Sequence, residues 1–221
     1  MKRREFVVIP IAALGGAVVS RLVAPRSIFA QPAQGTARVS LRYFTAAEAR
    51  IVTAAAERIF PKDATGPGAT DAGVVIYIDR QLAGPYGRDK FRYTKAPFAA
   101  SNAEHGYQGA ENPRQVYRAG LAGLTGFEAL TADEQIAKLT TIERTQFFSL
   151  LRAHTIEGVF CDPAHGGNKN LVGWKLVGFP GPKMDNSAHV DTHYGTAYRP
   201  EPQSLEQITK HKWTPWEEER G

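Results

Sequence analysis

The chain has 221 residues, 43% hydrophobic and 22% charged, an ordinary globular composition sufficient for one domain or two small ones. Its formal charge of +5 invites a nucleic-acid or membrane-surface role, but residues 1–30 hold five Lys/Arg and one Glu, so the remainder carries only +1 and nucleic-acid binding loses its main support. A single cysteine, Cys161, excludes an internal disulfide, a self-contained iron–sulfur site and a CxxCH haem attachment.

The N-terminus, MKRREFVVIPIAALGGAVVSRLVAPRSIFAQ, has the layout of an export signal. Lys2, Arg3 and Arg4 form its basic region, Phe6 to Ser20 an apolar run too short for a comfortable membrane span, and Ala30 a cleavage point. Arg3 and Arg4, followed at once by Glu5, Phe6 and Val7, resemble a twin-arginine (Tat) signal, which hands folded proteins to the Tat translocon. Arg21 and Arg26 behind the apolar run suit that route better than general secretion. The expected location is the periplasm, with the inner membrane reached through partners or an uncleaved signal. Ile28 and Phe29 are bulky for a cleavage site, and a simple uncleaved anchor explains the same residues. Residues 31–43 read as a linker.

From Phe44 the pattern turns helical. Thr45 with Glu48 forms a capping box ahead of AEARIVTAAAERIF, whose Ala47, Ile51, Ala55 and Ile59 share one face until Pro61 closes the helix. The turn-rich PKDATGPGATDAG leads to VVIYIDRQLAG. Periodicity alone leaves Val74 to Ile78 as strand or buried helix; Asp71 as a cap and Gly84 as a stop favour a short helix. Residues 85–120 show no period and predict a long loop with short helical pieces, a stretch that is usually either a binding surface or disordered. A second capping box, Thr131 with Glu134, opens the longest helical stretch, TADEQIAKLTTIERTQFFSLLRAHTIEGVF. Its apolar stripe comprises Ile136, Leu139, Phe147, Leu150 and Leu151, and Gly158 is its expected terminator. The tail from Gly166 is rich in glycine, proline and aromatics, including Trp213 and Trp216. Residues 44–221 therefore predict one mainly α domain, small and helical, with long ordered loops and an irregular C-terminal tail.

The chemical-looking features are sparse. GPGATDAG, residues 66–73, has Asp71 where a dinucleotide-binding glycine pattern needs its third glycine, and no strand precedes it; a turn feeding a capped helix is expected. His189, Asp191 and His193 alternate, so in an extended segment all three would face one way and could hold a divalent metal in a stand-alone exported metalloenzyme. A solvated polar loop explains them with fewer assumptions. Cys161 could pair with His154 or His165 as a thiolate nucleophile, yet a lone cysteine beside Phe160 more often packs as a small apolar side chain. No GxSxG elbow is present. No convincing catalytic set emerges.

Residues 151–181, LRAHTIEGVFCDPAHGGNKNLVGWKLVGFPG, resemble the small subunit (subunit 3, or gamma) of the gluconate 2-dehydrogenase family. So does FTAAEARIVTAAAERIFPKDATGPGATDAGVVIYID at residues 44–79, with its first helix, IFP turn, PGA step and second helix. The resemblance implies a non-catalytic chain that binds no cofactor of its own. It would accompany an FAD-containing large subunit of the glucose–methanol–choline (GMC) oxidoreductase type, and a c-type cytochrome subunit would carry haem c and take the electrons. The large partner would leave the cytoplasm bound to this chain and oxidise gluconate, other sugars or glycosides. Within the loop, Gly166 and Gly167 would permit tight backbone turns, Asn168 would satisfy local backbone groups and Asp162 would brace the turn. Trp174 suits either the core or a subunit contact. A loop that merely ties the domain's own helices together accounts for these residues equally well.

Overall fold

The computed structural model describes residues 40–93, 95–98, 102–183 and 185–210. The chain divides into two units, Met1–Arg38 and Val39–Gly221, and the described residues belong to the second. The signal residues Arg3, Arg4 and Phe6, the Ala30 cleavage point, most of the linker, Trp213 and Trp216 lie outside the described residues. The fold is mainly α. Apart from an isolated bridge between Asp63 and Gly66, no strand forms among the described residues.

Helix α1 spans Ala46–Ile59 and opens on the expected capping box: the Thr45 hydroxyl accepts from Glu48 N–H while the Glu48 carboxylate accepts from Thr45 N–H at 2.8 Å. Its buried face is Ile51, Val52, Ala55 and Ala56, so the inward stripe is rotated from the expected one and Ala47 is exposed. Glu57 fixes the turn beyond, accepting from Lys62 N–H and Thr70 N–H, both at 2.9 Å.

Helix α2, Val74–Ala83, resolves the strand-or-helix alternative in favour of helix. Asp71 does not cap it. Its carboxylate folds back to accept from Gly68 N–H at 3.2 Å, and the position before the helix is Gly73 at φ 71°. The other end stops at Gly84 as expected, with Arg114 donating to the last carbonyls, Leu82 at 2.6 Å and Ala83 at 2.7 Å.

The expected loop at 85–120 contains a regular helix, α3, at Pro113–Ala122. Asn112 caps it, Pro113 occupies the first turn and Gln115 completes a capping box, so the asparagine form of the signal was present in NPRQ. Short 3-10 turns at Tyr86–Arg88 and Ala103–His105 occupy the stretch before it.

The expected long helix is two. Helix α4 spans Ala132–Thr141 and α5 spans Gln146–Phe160. Thr145 separates them: its hydroxyl donates to Ile142 C=O at 2.7 Å and accepts from Phe148 N–H at 3.2 Å, closing one helix and opening the next. Gly158 is not a terminator, because α5 continues to Phe160. It lies where α5 crosses α2; a Cβ there would stand 3.1 Å from Tyr77 Cδ1 and 3.2 Å from Val74 Cγ1. Short helices α6 (Val172–Val177), α7 (Ser187–Val190) and α8 (Leu205–Thr209) complete the order.

The core lies between α1, α2, α3 and α5, with Val52, Ile78, Leu82, Tyr117 and Leu151 wholly out of solvent. Burying this apolar surface supplies the driving force at roughly 25 cal/mol per Å².

Candidate functional site

Residues 161–174 form the C-terminal cap of α5. A helix end leaves carbonyls without intrahelical partners, and here the loop supplies the donors. Asn168 N–H donates to Gly158 C=O at 2.7 Å, Asn168 Nδ2 to Cys161 C=O at 2.9 Å and Trp174 Nε1 to Phe160 C=O at 2.7 Å. Asn168 Oδ1 in turn accepts from Gly173 N–H at 2.8 Å, joining the end of α5 to the start of α6. Asn168 is fully buried and sits at φ 44°, a left-handed conformation that asparagine tolerates. The neighbouring glycines are required by proximity: a Cβ on Gly167 would strike the Gly158 carbonyl, and one on Gly173 the Val159 carbonyl. Gly166 turns the chain at φ 100°. Asp162 accepts from Ala164 N–H at 2.9 Å and Leu205 N–H at 2.8 Å, fastening α8 to the loop. Asp162, Gly166, Gly167, Asn168 and Trp174 thus come together in one network, and their polar atoms are spent on backbone.

The Cys161 thiol donates to Gly158 C=O at 3.6 Å, and Cys161 borders the same cavity as His165. Burial pushes the Cys161 thiol up to about 11, so it is protonated at neutral pH. His154 is buried elsewhere, between Tyr86 Oη at 2.8 Å from Nε2 and Tyr117 Oη at 2.8 Å from Nδ1. Burial holds its pKa below the usual value, which keeps the ring neutral. Tyr77 donates to Glu157 at 2.8 Å, and burial raises the phenols of Tyr77, Tyr86 and Tyr117. This Tyr–His–Tyr chain had no local signature, since its members lie 37 and 68 residues apart.

His189, Asp191 and His193 do not form the expected alternating array. The segment is helical through α7, and His193 N–H donates to His189 C=O at 3.2 Å. In a helical turn, residues two apart point in different directions, which removes Asp191 from the histidine side. Both imidazoles stack on Tyr198, at 4.9 Å for His189 and 4.0 Å for His193. Among the described residues, no three His, Cys, Asp or Glu side chains are grouped to hold a metal ion. The glycine pattern at 66–73 forms a turn whose amides bond to Glu57, Asp63 and Asp71, and therefore offers no phosphate cradle.

Two adjoining cavities line the surface between α2 and the end of α5. One, about 520 Å³, is bounded by Arg80, Tyr86, Lys90, Phe91 and Arg92. The other, about 470 Å³, is bounded by Tyr77, Ile156, Glu157, Phe160 and Asp162. Gln81 and His165 line both, making one groove beside the loop.

No curated protein and no solved structure matches the chain. The family model of gluconate 2-dehydrogenase subunit 3 matches residues 46–181, from the first residue of α1 to Gly181 beyond the α5–α6 cap. That span is more than half of the chain and contains both the capped helix end and the groove, so the protein belongs to the gluconate 2-dehydrogenase subunit 3 family.

Proposed function

We propose that this chain is the non-catalytic small subunit of a periplasmic flavin dehydrogenase. It escorts an FAD-containing large subunit of the GMC type through the Tat translocon and stabilises it afterwards. The large subunit oxidises gluconate, a sugar or a glycoside, and electrons pass to a c-type cytochrome subunit holding haem c. The family membership over residues 46–181 carries the reading. Two further observations support it. The Cys161 thiol is protonated at neutral pH, His154 is buried in a neutral Tyr–His–Tyr chain, and His189 and His193 stack on Tyr198. The glycine pattern at residues 66–73 forms a turn whose amides bond to Asp71 and Glu57.

Co-expression of both subunits followed by cell fractionation tests the escort role. The large subunit is expected in the periplasm with the intact chain, and in the cytoplasm when Arg3→Lys and Arg4→Lys are combined. Normal export of the large subunit in that variant overturns the proposal.

A further inference from the structure

The groove beside the loop carries charge and apolar surface that the chain itself does not use. Arg80 lies half-buried on its wall, packed against Gly166, and among the described residues its guanidinium makes no hydrogen bond. A guanidinium partly removed from water with no acceptor is costly unless an anion reaches it. Asp89 is the carboxylate bordering the larger cavity, and it is engaged by Arg92 at 3.1 Å. Arg92 also donates to Gly109 C=O at 2.8 Å, so it is held within the chain. Arg80, beside the buried Asp79, and Lys90, over the Phe91 ring, are the cations of this cavity that no carboxylate among the described residues hydrogen-bonds. Around them stand aromatic rings turned to solvent: Phe91 is 78% exposed and its neighbour Tyr93 is 98% exposed. Arginine with exposed aromatics is the composition of an interface centre.

We propose that the groove docks an extended, carboxylate-bearing segment of the large flavoprotein subunit, with the carboxylate on Arg80 and Lys90 and apolar side chains against Phe91 and Ile156. This rests on the escort reading above. In the larger cavity, charge complementarity defines the group seated on Arg80 and Lys90 as acidic; the smaller cavity is bordered by Glu157 and Asp162, whose carboxylates accept from Tyr77 and from backbone N–H groups. The size of the groove points to a chain segment rather than a lone small acid, since two cavities of about 520 and 470 Å³ join through Gln81 and His165. α2 and the capped end of α5 form part of its wall, together with Pro85, Tyr86 and the segment from Asp89 to Arg92.

The test uses the full chain co-expressed with its large subunit, measuring co-purification by flavin content and affinity by titration of the separated subunits. The double variant Arg80→Glu/Lys90→Glu is expected to weaken the complex by about tenfold or more, and Phe91→Ala to weaken it to a lesser degree. Lys138→Glu, a single reversal on α4 away from the groove, is expected to leave it unchanged. Wild-type affinity should fall as salt is raised, and millimolar acetate or gluconate should not displace the partner. Thermal melts establish that each variant is folded; Phe91, being exposed, provides the folded variant if the double reversal is not. Wild-type affinity in both groove variants overturns the docking proposal while leaving the escort reading intact. Failure of the wild-type chain to bind the large subunit overturns both. Arg80-dependent binding of acetate or gluconate to the isolated chain, with the complex indifferent to the substitutions, assigns the groove to a small acid and overturns the proposal.

Discussion

Asn168 shows how much one residue can hold. Its backbone N–H closes Gly158 C=O, while its side chain closes Cys161 C=O just beyond α5 and accepts from Gly173 N–H in α6, all without contact with water. Removing the amide strands buried polar groups on both sides, so Asn168→Ala should cost about 3 kcal/mol in urea unfolding. Asn168→Gly loses the same bonds but relieves the left-handed backbone, and should be less damaging by about 1 kcal/mol. Equal losses for the two variants would show that φ 44° matters little. His154 adds a pH dependence whose sign follows from its burial. Its folded pKa lies below the unfolded value of about 6.5, so the unfolded chain takes up the proton first as pH falls. The stability is fully present above about 6.5, declines as pH drops below it, and is lost once pH passes the depressed folded value. Melting temperatures between neutral pH and pH 5 should fall for the native chain and fall less for His154→Gln.

At the scale of elements, the break between α4 and α5 depends on Thr145. Its hydroxyl serves both helices, so Thr145→Ala should cost about 1 kcal/mol, measured as a shift of the urea midpoint with an unchanged slope. A steeper loss with altered slope would mean that the two helices have fused or separated. The signals legible in the sequence were local. Thr45 with Glu48, Thr131 with Glu134 and Gly84 at the end of α2 each act over three or four residues, and each was visible as a spacing. Asn112-Pro113-Arg114-Gln115 was equally local, but the aromatic, aperiodic sequence around it masked α3. Gly158 was ambiguous because a glycine can end a helix or admit a neighbour, and only the position of Tyr77 on α2 decides. The candidate site divides in the same way. The turn-forming residues 166–168 announced themselves, whereas the Tyr86–His154–Tyr117 chain and the groove around Arg80 arise from packing between segments far apart.

For the molecule as a whole, the decisive long-range tie is Asp79. This buried carboxylate on α2 accepts from the N–H groups of Arg42 at 2.7 Å, Tyr43 at 3.0 Å and Phe44 at 2.9 Å. Three amide donors satisfy a buried charge that would otherwise be unaffordable, and they fix the segment where the chain enters the domain. α3 closes over the same segment: Tyr43 Oη donates to Arg114 C=O at 3.0 Å, and the Arg118 guanidinium, paired with Glu48, lies 4.4 Å from the Tyr43 ring. This strap, residues 42–44, is therefore held by α2 and α3 together. Its Arg42–Tyr43 bond doubles as a reporter, since trypsin must draw out an amide that Asp79 holds. Asp79→Ala leaves three donors unanswered and should cost about 3 kcal/mol or more. Asp79→Asn keeps an acceptor but loses the charge, so it should free the strap while the helices stay packed. Under native conditions, tryptic cleavage after Arg42 should accelerate in Asp79→Asn at unchanged helical content. Thr145→Ala, weakened at the α4–α5 junction, should be cut after Arg42 at the native rate. Native-rate cleavage in Asp79→Asn would show that the arginines of α3 hold the strap without the carboxylate, while faster cleavage in both variants would show that it opens only when the whole domain unfolds.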